Sequence, residues 1–342
     1  MIALAASTLG QDAPAAFPSA DKPLTKIAFG SCARQDRAQP IWKTLAAAEP
    51  ELFLFIGDCI YGDSDDPAVL KAKWDALGAI EEFRAFRAKC PMLGVWDDHD
   101  YGRNDAGAEY PKKKEAQQLL LDFFYEPPDS PRRKREGLYH AWTFGPEDKR
   151  LQIIFLDTRY FRSALKRGER KPDGGRYGPI DTGTMLGDEQ WKWLGEQLKT
   201  PAKLRIIASS VQVLANEHGW EKWGNMPHER DKLLKLLKEH NVENALFISG
   251  DRHFAELSKI EPKDSGLKAP LFDLTSSALN QRNTLPEHGP NQYRVGEVYI
   301  EPNFGVISID WSGKNPKVKL EIRDTEGKTR IDQAFDVVPE RK

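Results

Sequence analysis

Residues Leu52–Tyr61 read LFLFIGDCIY. The five apolar residues Leu52–Ile56 make a run of the length expected for a buried strand, and Gly57 closes it so that Asp58 emerges where the backbone turns. The same grammar recurs along the chain. Lys26–Gly30 (KIAFG) leads into Ser31-Cys32, and Met92–Trp96 (MLGVW) into Asp97-Asp98-His99-Asp100-Tyr101. Leu151–Leu156 (LQIIFL) leads into Asp157-Thr158-Arg159, and Ala245–Ile248 (ALFI) into Ser249-Gly250-Asp251-Arg252-His253. Leu204–Ala208 (LRIIA) is a sixth run of this kind. Helical patterns separate the runs: Ala68–Ala88 behind Pro67, Lys112–Tyr125, Gly187–Leu198, and His228–His240 with its leucine-rich face. Strand and helix alternating from residue 26 to residue 250 predict an α/β fold. Beyond residue 265 the segments Leu271–Thr275, Val298–Ile300, Gly305–Trp311, Val318–Arg323 and Ile331–Val337 read as strands without helices between them. They are expected to form the mostly antiparallel second half of a sandwich, covering the first sheet. Glu126–Arg135 and Gly168–Gly187, rich in Pro and Gly, are expected to be long surface loops.

With 342 residues, 50 basic and 52 acidic side chains, the chain has a formal charge of -2. That balance carries no global attraction for nucleic acid or anionic membranes, so an anionic substrate must be drawn by local charge. No apolar run approaches the length of a membrane span. Met1–Ala16 (MIALAASTLGQDAPAA) resembles the remnant of a signal peptide, which points to a periplasmic or secreted protein. Residues 1–23 are therefore expected to be a leader remnant or flexible extension, and 24–342 a single domain. Cys32, Cys59 and Cys90 are too few for a disulfide framework.

Ligands in open α/β sheets bind beyond the carboxyl ends of the strands. Several strands delivering carboxylates, a thiol, a phenol and imidazoles to one edge would crowd negative charge there, and bound cations, two for so many donors, would resolve the repulsion. Asp58 is placed to bridge two ions; alone it would read as a helix N-cap. Tyr61, three residues on, is a candidate phenolate donor. Cys32 is a thiolate ligand, a nucleophile or a small buried hydrophobe, with Arg34 near enough to lower its pKa. The densest signal is Trp96–Asp105 (WDDHDYGRND), where oxygen donors suit calcium or magnesium and His99 suits a general acid. Asp251 and His253, two apart, would each serve a different ion. Arg159, Arg103 and Arg252 are candidate cations for a charged substrate or for orienting carboxylates. His140, His218, His228, His240 and His288 lack such neighbours; four of these five are expected at the surface, with His218 a candidate for the pocket wall.

At these residues the chain resembles the alkaline phosphatase D (PhoD-type) branch of the calcineurin-like metallophosphoesterases. The resemblance runs from Lys26 to Trp311 and is carried by GSC at Gly30–Cys32, GDxxY at Gly57–Tyr61, WDDHD at Trp96–Asp100, LDTRxxR at Leu156–Arg162, SSVQ at Ser209–Gln212 and GDxH at Gly250–His253. It implies a four-layer α/β/β/α sandwich and a site pairing Fe(III) with Ca2+, where the wider superfamily uses two divalent transition metals. Cys32, Asp58, Tyr61 and His253 would hold the iron; Asp58 would bridge to calcium, held further by Asp98, Asp251 and Asn104. His99 would take the position of the catalytic histidine, Asp58 and Arg159 standing with it. The implied reaction is hydrolysis of small phosphate mono- or diesters by a metal-bound hydroxide. Two rival readings are a non-catalytic calcium-binding recognition module and a hydrolase using Cys32 as nucleophile with His253 as base.

Overall fold

The computed structural model describes residues 14–285 and 288–339. Its strands are β1 (Lys26–Gly30), β2 (Leu52–Ile56), β3 (Met92–Val95), β4 (His140–Phe144), β5 (Leu151–Phe155), β6 (Lys166–Arg167) and β7 (Tyr177–Gly178). They continue as β8 (Leu204–Ala208), β9 (Ala245–Ser249), β10 (Ala255–Ile260), β11 (Leu271–Ser276), β12 (Asn303–Asp310), β13 (Lys317–Asp324) and β14 (Thr329–Asp336). The helices are α1 (Ile41–Ala47), α2 (Pro67–Ala79), α3 (Glu81–Arg87), α4 (Asp98–Tyr101), α5 (Lys113–Phe123), α6 (Gly187–Leu198), α7 (Pro227–Glu239) and α8 (Pro262–Ser265). None of them is long and apolar enough to cross a membrane.

Two six-stranded mixed sheets face each other, ordered β14-β13-β12-β1-β2-β3 and β10-β11-β9-β8-β5-β4. Side-chain alternation builds the layers: Ile153 and Phe155 of β5 join the large core with β1–β3, whereas Ile154 joins a second core under α6 and α7. On the other side, Trp42 of α1 packs edge-on against Phe53 of β2 and Phe83 of α3. The result is the four-layer α/β/β/α sandwich. Aligned parallel, β1, β2 and β3 end at one edge, as do β5, β8 and β9.

Three expectations change. The C-terminal strands are not a separate covering sheet: β12 pairs antiparallel with β1 and carries β13 and β14 into its sheet, while β11 pairs parallel with β9 in the other. Backbone pairing over long sequence separation decides this, and local patterning does not encode it. Val298–Ile300 forms no strand; Tyr299 makes a lone bridge to Ala255. The Ala68–Ala88 helix is two helices, because Ile80 is extended (φ -65°, ψ 121°) between α2 and α3.

Most of Met1–Ala16 lies outside the described residues. Within 14–23, the Ala15 amide donates to Arg87 O, Phe17 stacks on Trp142 and Ala20 O accepts from Gly145.

Candidate metal centre

The ends of β1, β2, β3 and β9 deliver the donors through tight turns. Of the nine non-glycine residues with positive φ among the described residues, six sit here: Cys32 (63°), Asp58 (49°), Asp63 (46°), Asp105 (58°), Asp251 (68°) and His253 (56°). Left-handed backbone at non-glycine residues is costly and concentrates where side chains must be aimed. Gly57 (φ 100°) has no alternative, since a Cβ there would lie 2.5 Å from Cβ of Asp97.

One donor group gathers around Asp58. Its Oδ2 is 3.3 Å from Cys32 Sγ and 3.3 Å from the Tyr61 phenol, and that phenol is 3.0 Å from His253 Nε2. Neighbouring ligand atoms around a single ion with bonds of about 2.0–2.3 Å have this spacing. Among the described residues, four overlapping sets could each hold an ion: Cys32/Asp58/His253, Asp58/Asp98/His99, Asp97/Asp98/Asp251 and Asp98/Asp105/Glu221. Asp58 belongs to two of them and Asp98 to three. Buried oxygens Asp58 Oδ1 and Asp97 Oδ2 have no hydrogen-bond donor. Orphaned carboxylate oxygens facing shared carboxylates fit cations and little else.

Electrostatics agree. Burial pushes the Asp58 carboxyl well above its usual range; His99 opposes this, and Asp98 and Asp97 reinforce it. Burial raises Asp251 likewise, with Asp97 and Asp98 adding to it. Burial pulls the His99 imidazole down, but Asp98, Asp58 and Asp63 outweigh it and lift it to about 11. His253, lowered to about 4 by burial and the His99 charge, is neutral, the form that ligates metals. Asp63 Oδ1 lies 2.7 Å from His99 Nδ1, which leaves Nε2 as the nitrogen for other partners. Burial and Asp58 raise the Cys32 thiol, and the nearby Arg34 is bound through two nitrogens to Asp36. The lowered thiol pKa expected from the Arg34 neighbourhood is therefore overturned.

The structure brings together Cys32, Asp58, Tyr61, Asp98, His99, Asp251 and His253. Asn104 is exposed; its neighbour Asp105 turns inward, giving its amide to Asp98 Oδ2 at 2.7 Å and accepting from Tyr177 at 2.5 Å. Arg159 is fully buried and paired with Asp97 and Glu221, so it acts on the site through those carboxylates. Arg103 pairs with Asp65 at the exterior. Asp97, Asp105, Glu221, Ser210 and Ser277 complete the centre, the two serines bonding Asp97 and Cys32. Asp97 and Asp105 stood inside the acidic Trp96–Asp105 segment, whereas nothing around Glu221 marks it. One histidine expected at the surface is corrected: His140 is buried against Phe155, while His218, the candidate for the pocket wall, is buried with Nδ1 accepting the Trp220 amide.

A family model described as PhoD-like phosphatase matches residues 27–337. Alkaline phosphatase D of Bacillus subtilis (strain 168) is 23% identical over 311 residues, covering 78% of this chain and 52% of the relative. The chain thus spans about half the length of that curated relative. A solved structure of PhoD superposes with a TM-score of 0.73 at 17% identity, covering 94% of this chain and 71% of the other. GAP50, the anchor in the inner membrane complex of Plasmodium, superposes with a TM-score of 0.60 at 14% identity, covering 94% and 91%.

Proposed function

Because this chain belongs to the PhoD-like phosphatase family, we propose that it is a metal-dependent phosphoric ester hydrolase acting on small phosphate mono- and diesters. The observation that carries the reading is the Asp58 carboxylate, within 3.3 Å of both Cys32 and Tyr61 by one oxygen while the other is buried without a donor. Cys32, Tyr61 and His253 with Asp58 would hold one ion, and thiolate, phenolate and imidazole favour a transition metal, ferric iron in our reading. Asp98 and Asp251, with Asp97, would hold the second; an all-oxygen set suits calcium. When bound, the two ions would make water a nucleophile near neutral pH and offset charge on the phosphoryl group.

The protein's own groups do the rest. The positively charged His99, 16% exposed, offers Nε2–H to a phosphoryl oxygen or to the leaving alkoxide, with Asp63 fixing its ring through Nδ1. Arg159, anchored by the Asp157 carboxylate at its amide, holds Asp97 in place together with Ser210. An anchor protein shares the fold, so fold alone does not select catalysis; the buried donors do. The raised, buried Cys32 thiol argues against the cysteine-nucleophile reading. We also place the protein in the periplasm or outside the cell, on the character of Met1–Ala16 alone; cell fractionation tests this.

The decisive experiment is elemental analysis beside hydrolysis of 4-nitrophenyl phosphate and bis(4-nitrophenyl) phosphate. Metal-bearing protein that loses turnover on chelation is expected; metal-free protein with full activity would overturn the proposal.

A further inference from the structure

Beside the acidic centre lies a pocket of opposite character. A cavity of about 370 Å³ is lined by Lys171, Tyr177, Asn216, Lys222, Arg230 and Asp231, among others. Among the described residues its cations bond backbone carbonyls and not carboxylates: Lys171 Nζ to Glu217 O at 3.1 Å, Lys222 Nζ to Trp220 O at 3.0 Å, and Arg230 Nε to Val213 O at 2.8 Å. Lys222 is 3% exposed and Arg230 7%. Buried ammonium and guanidinium groups are ordinarily paired with an acid, because desolvation otherwise costs several kcal/mol. The nearby Asp173 is committed to the amides of Gly175 and Gly219, and Asp231 is exposed.

The pocket is tied directly to the metal centre. Tyr177, in its wall, donates its phenol to Asp105, which belongs with Asp98 and Glu221 to one of the ion-holding sets. Lys222 follows Glu221 in the chain, so one peptide places an acid at the centre and a base in the pocket. A phosphoryl group at the centre and an anion in the pocket would be neighbours.

We propose that this pocket is a substrate subsite for a second phosphate group carried by the same molecule, recognised by Lys171, Lys222 and Arg230. The proposal rests on the hydrolase reading and narrows it to a substrate class: phosphate esters bearing another phosphate.

The test compares adenosine 3′,5′-bisphosphate with adenosine 5′-monophosphate in wild-type protein, Lys171→Ala and Lys222→Met, the last keeping the buried stem. The wild type is expected to show a KM about tenfold lower for the bisphosphate, the equivalent of about 1.4 kcal/mol. In either variant the ratio should fall to within about twofold of unity. Equal KM values in the wild type, or an advantage that survives both substitutions, would overturn the subsite. If neither nucleotide is hydrolysed, turnover of 4-nitrophenyl phosphate and its diester still decides the hydrolase reading on its own. Calorimetric titration with the bisphosphate then decides the pocket: about tenfold weaker binding in the variants supports it, and equal affinity in all three proteins overturns it.

Discussion

The Tyr61 phenol and His253 Nε2 lie 3.0 Å apart across 192 positions of sequence. Tyr61 follows β2 and His253 follows β9, strands of different sheets, so this donor group closes the gap between the two sheets. It forms only when both are in place.

If ferric iron occupies that group, the purified protein should absorb visible light by charge transfer from Tyr61 or Cys32. Tyr61→Phe should remove or strongly shift the band, with activity falling at least about 10-fold, the lower bound of the loss seen when even a group that merely orients a metal ligand is removed. Iron found by elemental analysis in a colourless protein would refute these two ligands.

Asp58 and His99 should separate cleanly. Asp58→Ala removes the carboxylate shared between two ion-holding sets and should lose both metals together with turnover. His99→Ala should retain metal while kcat drops about 10²–10⁴-fold, the usual contribution of a proton donor. Normal turnover in His99→Ala would show that its charge serves the resting site alone.

Arg159→Met takes the guanidinium away from two buried carboxylates, leaving Asp97 with only the Ser210 hydroxyl and Glu221 with only Arg162. Removing one partner of a buried ion pair costs about 3–5 kcal/mol, which urea denaturation would register as a lower midpoint. Adding Asp97→Asn and Glu221→Gln to the same protein should recover part of the loss, since the charges then vanish together.

His140 supplies a pH dependence remote from the metals. Burial lowers its pKa well below the ordinary value, the charges of Arg132 and Arg135 deepen the effect, and the bond to Leu138 O opposes it. The unfolded chain therefore takes up the proton first on acidification, so this contribution is present above about pH 6.5 and fades as pH falls. The loss approaches about 1.4 kcal/mol per pH unit for one proton. Chemical denaturation at pH 7, 6 and 5 should show a shallower acid slope in His140→Gln than in the wild type; identical slopes would exclude the effect.

What sequence made visible was the set of apolar runs with polar ends. Leu52–Ile56 and Leu204–Ala208 needed no partner to be read as strands, and both have those bounds. The turns after β2, β3 and β9 announced Asp58, Asp98 and His253 because, taken together, they crowd charged and ligating groups onto one sheet edge, where any one alone could be a cap. β4 and β10 escaped notice: HAWTF and AELSKI mix polar and apolar residues, and pairing with β5 and β11 makes them strands. Glu221 was invisible because its role comes from Arg159 and Arg162, some sixty residues away along the chain. Asn104 was named only through the family resemblance, and the left-handed backbone of Asp105, with φ 58°, is a conformation that residue type does not announce.

The pairing of β1 with β12 ties the first ligand in the chain to its last third. Cys32 follows β1, the first strand among the described residues, yet the Ser31 carbonyl before it is bonded by Leu279, its thiol meets Ser277, and β1 borders Asn303–Asp310. Without the last third of the chain, β1 has β2 on one side only, and Cys32 has the Ser31 hydroxyl but not that of Ser277. A chain that stopped short of residue 303 would keep Cys32 and Asp58 beside each other through β1 and β2, but any ion they held would lack the support of β12.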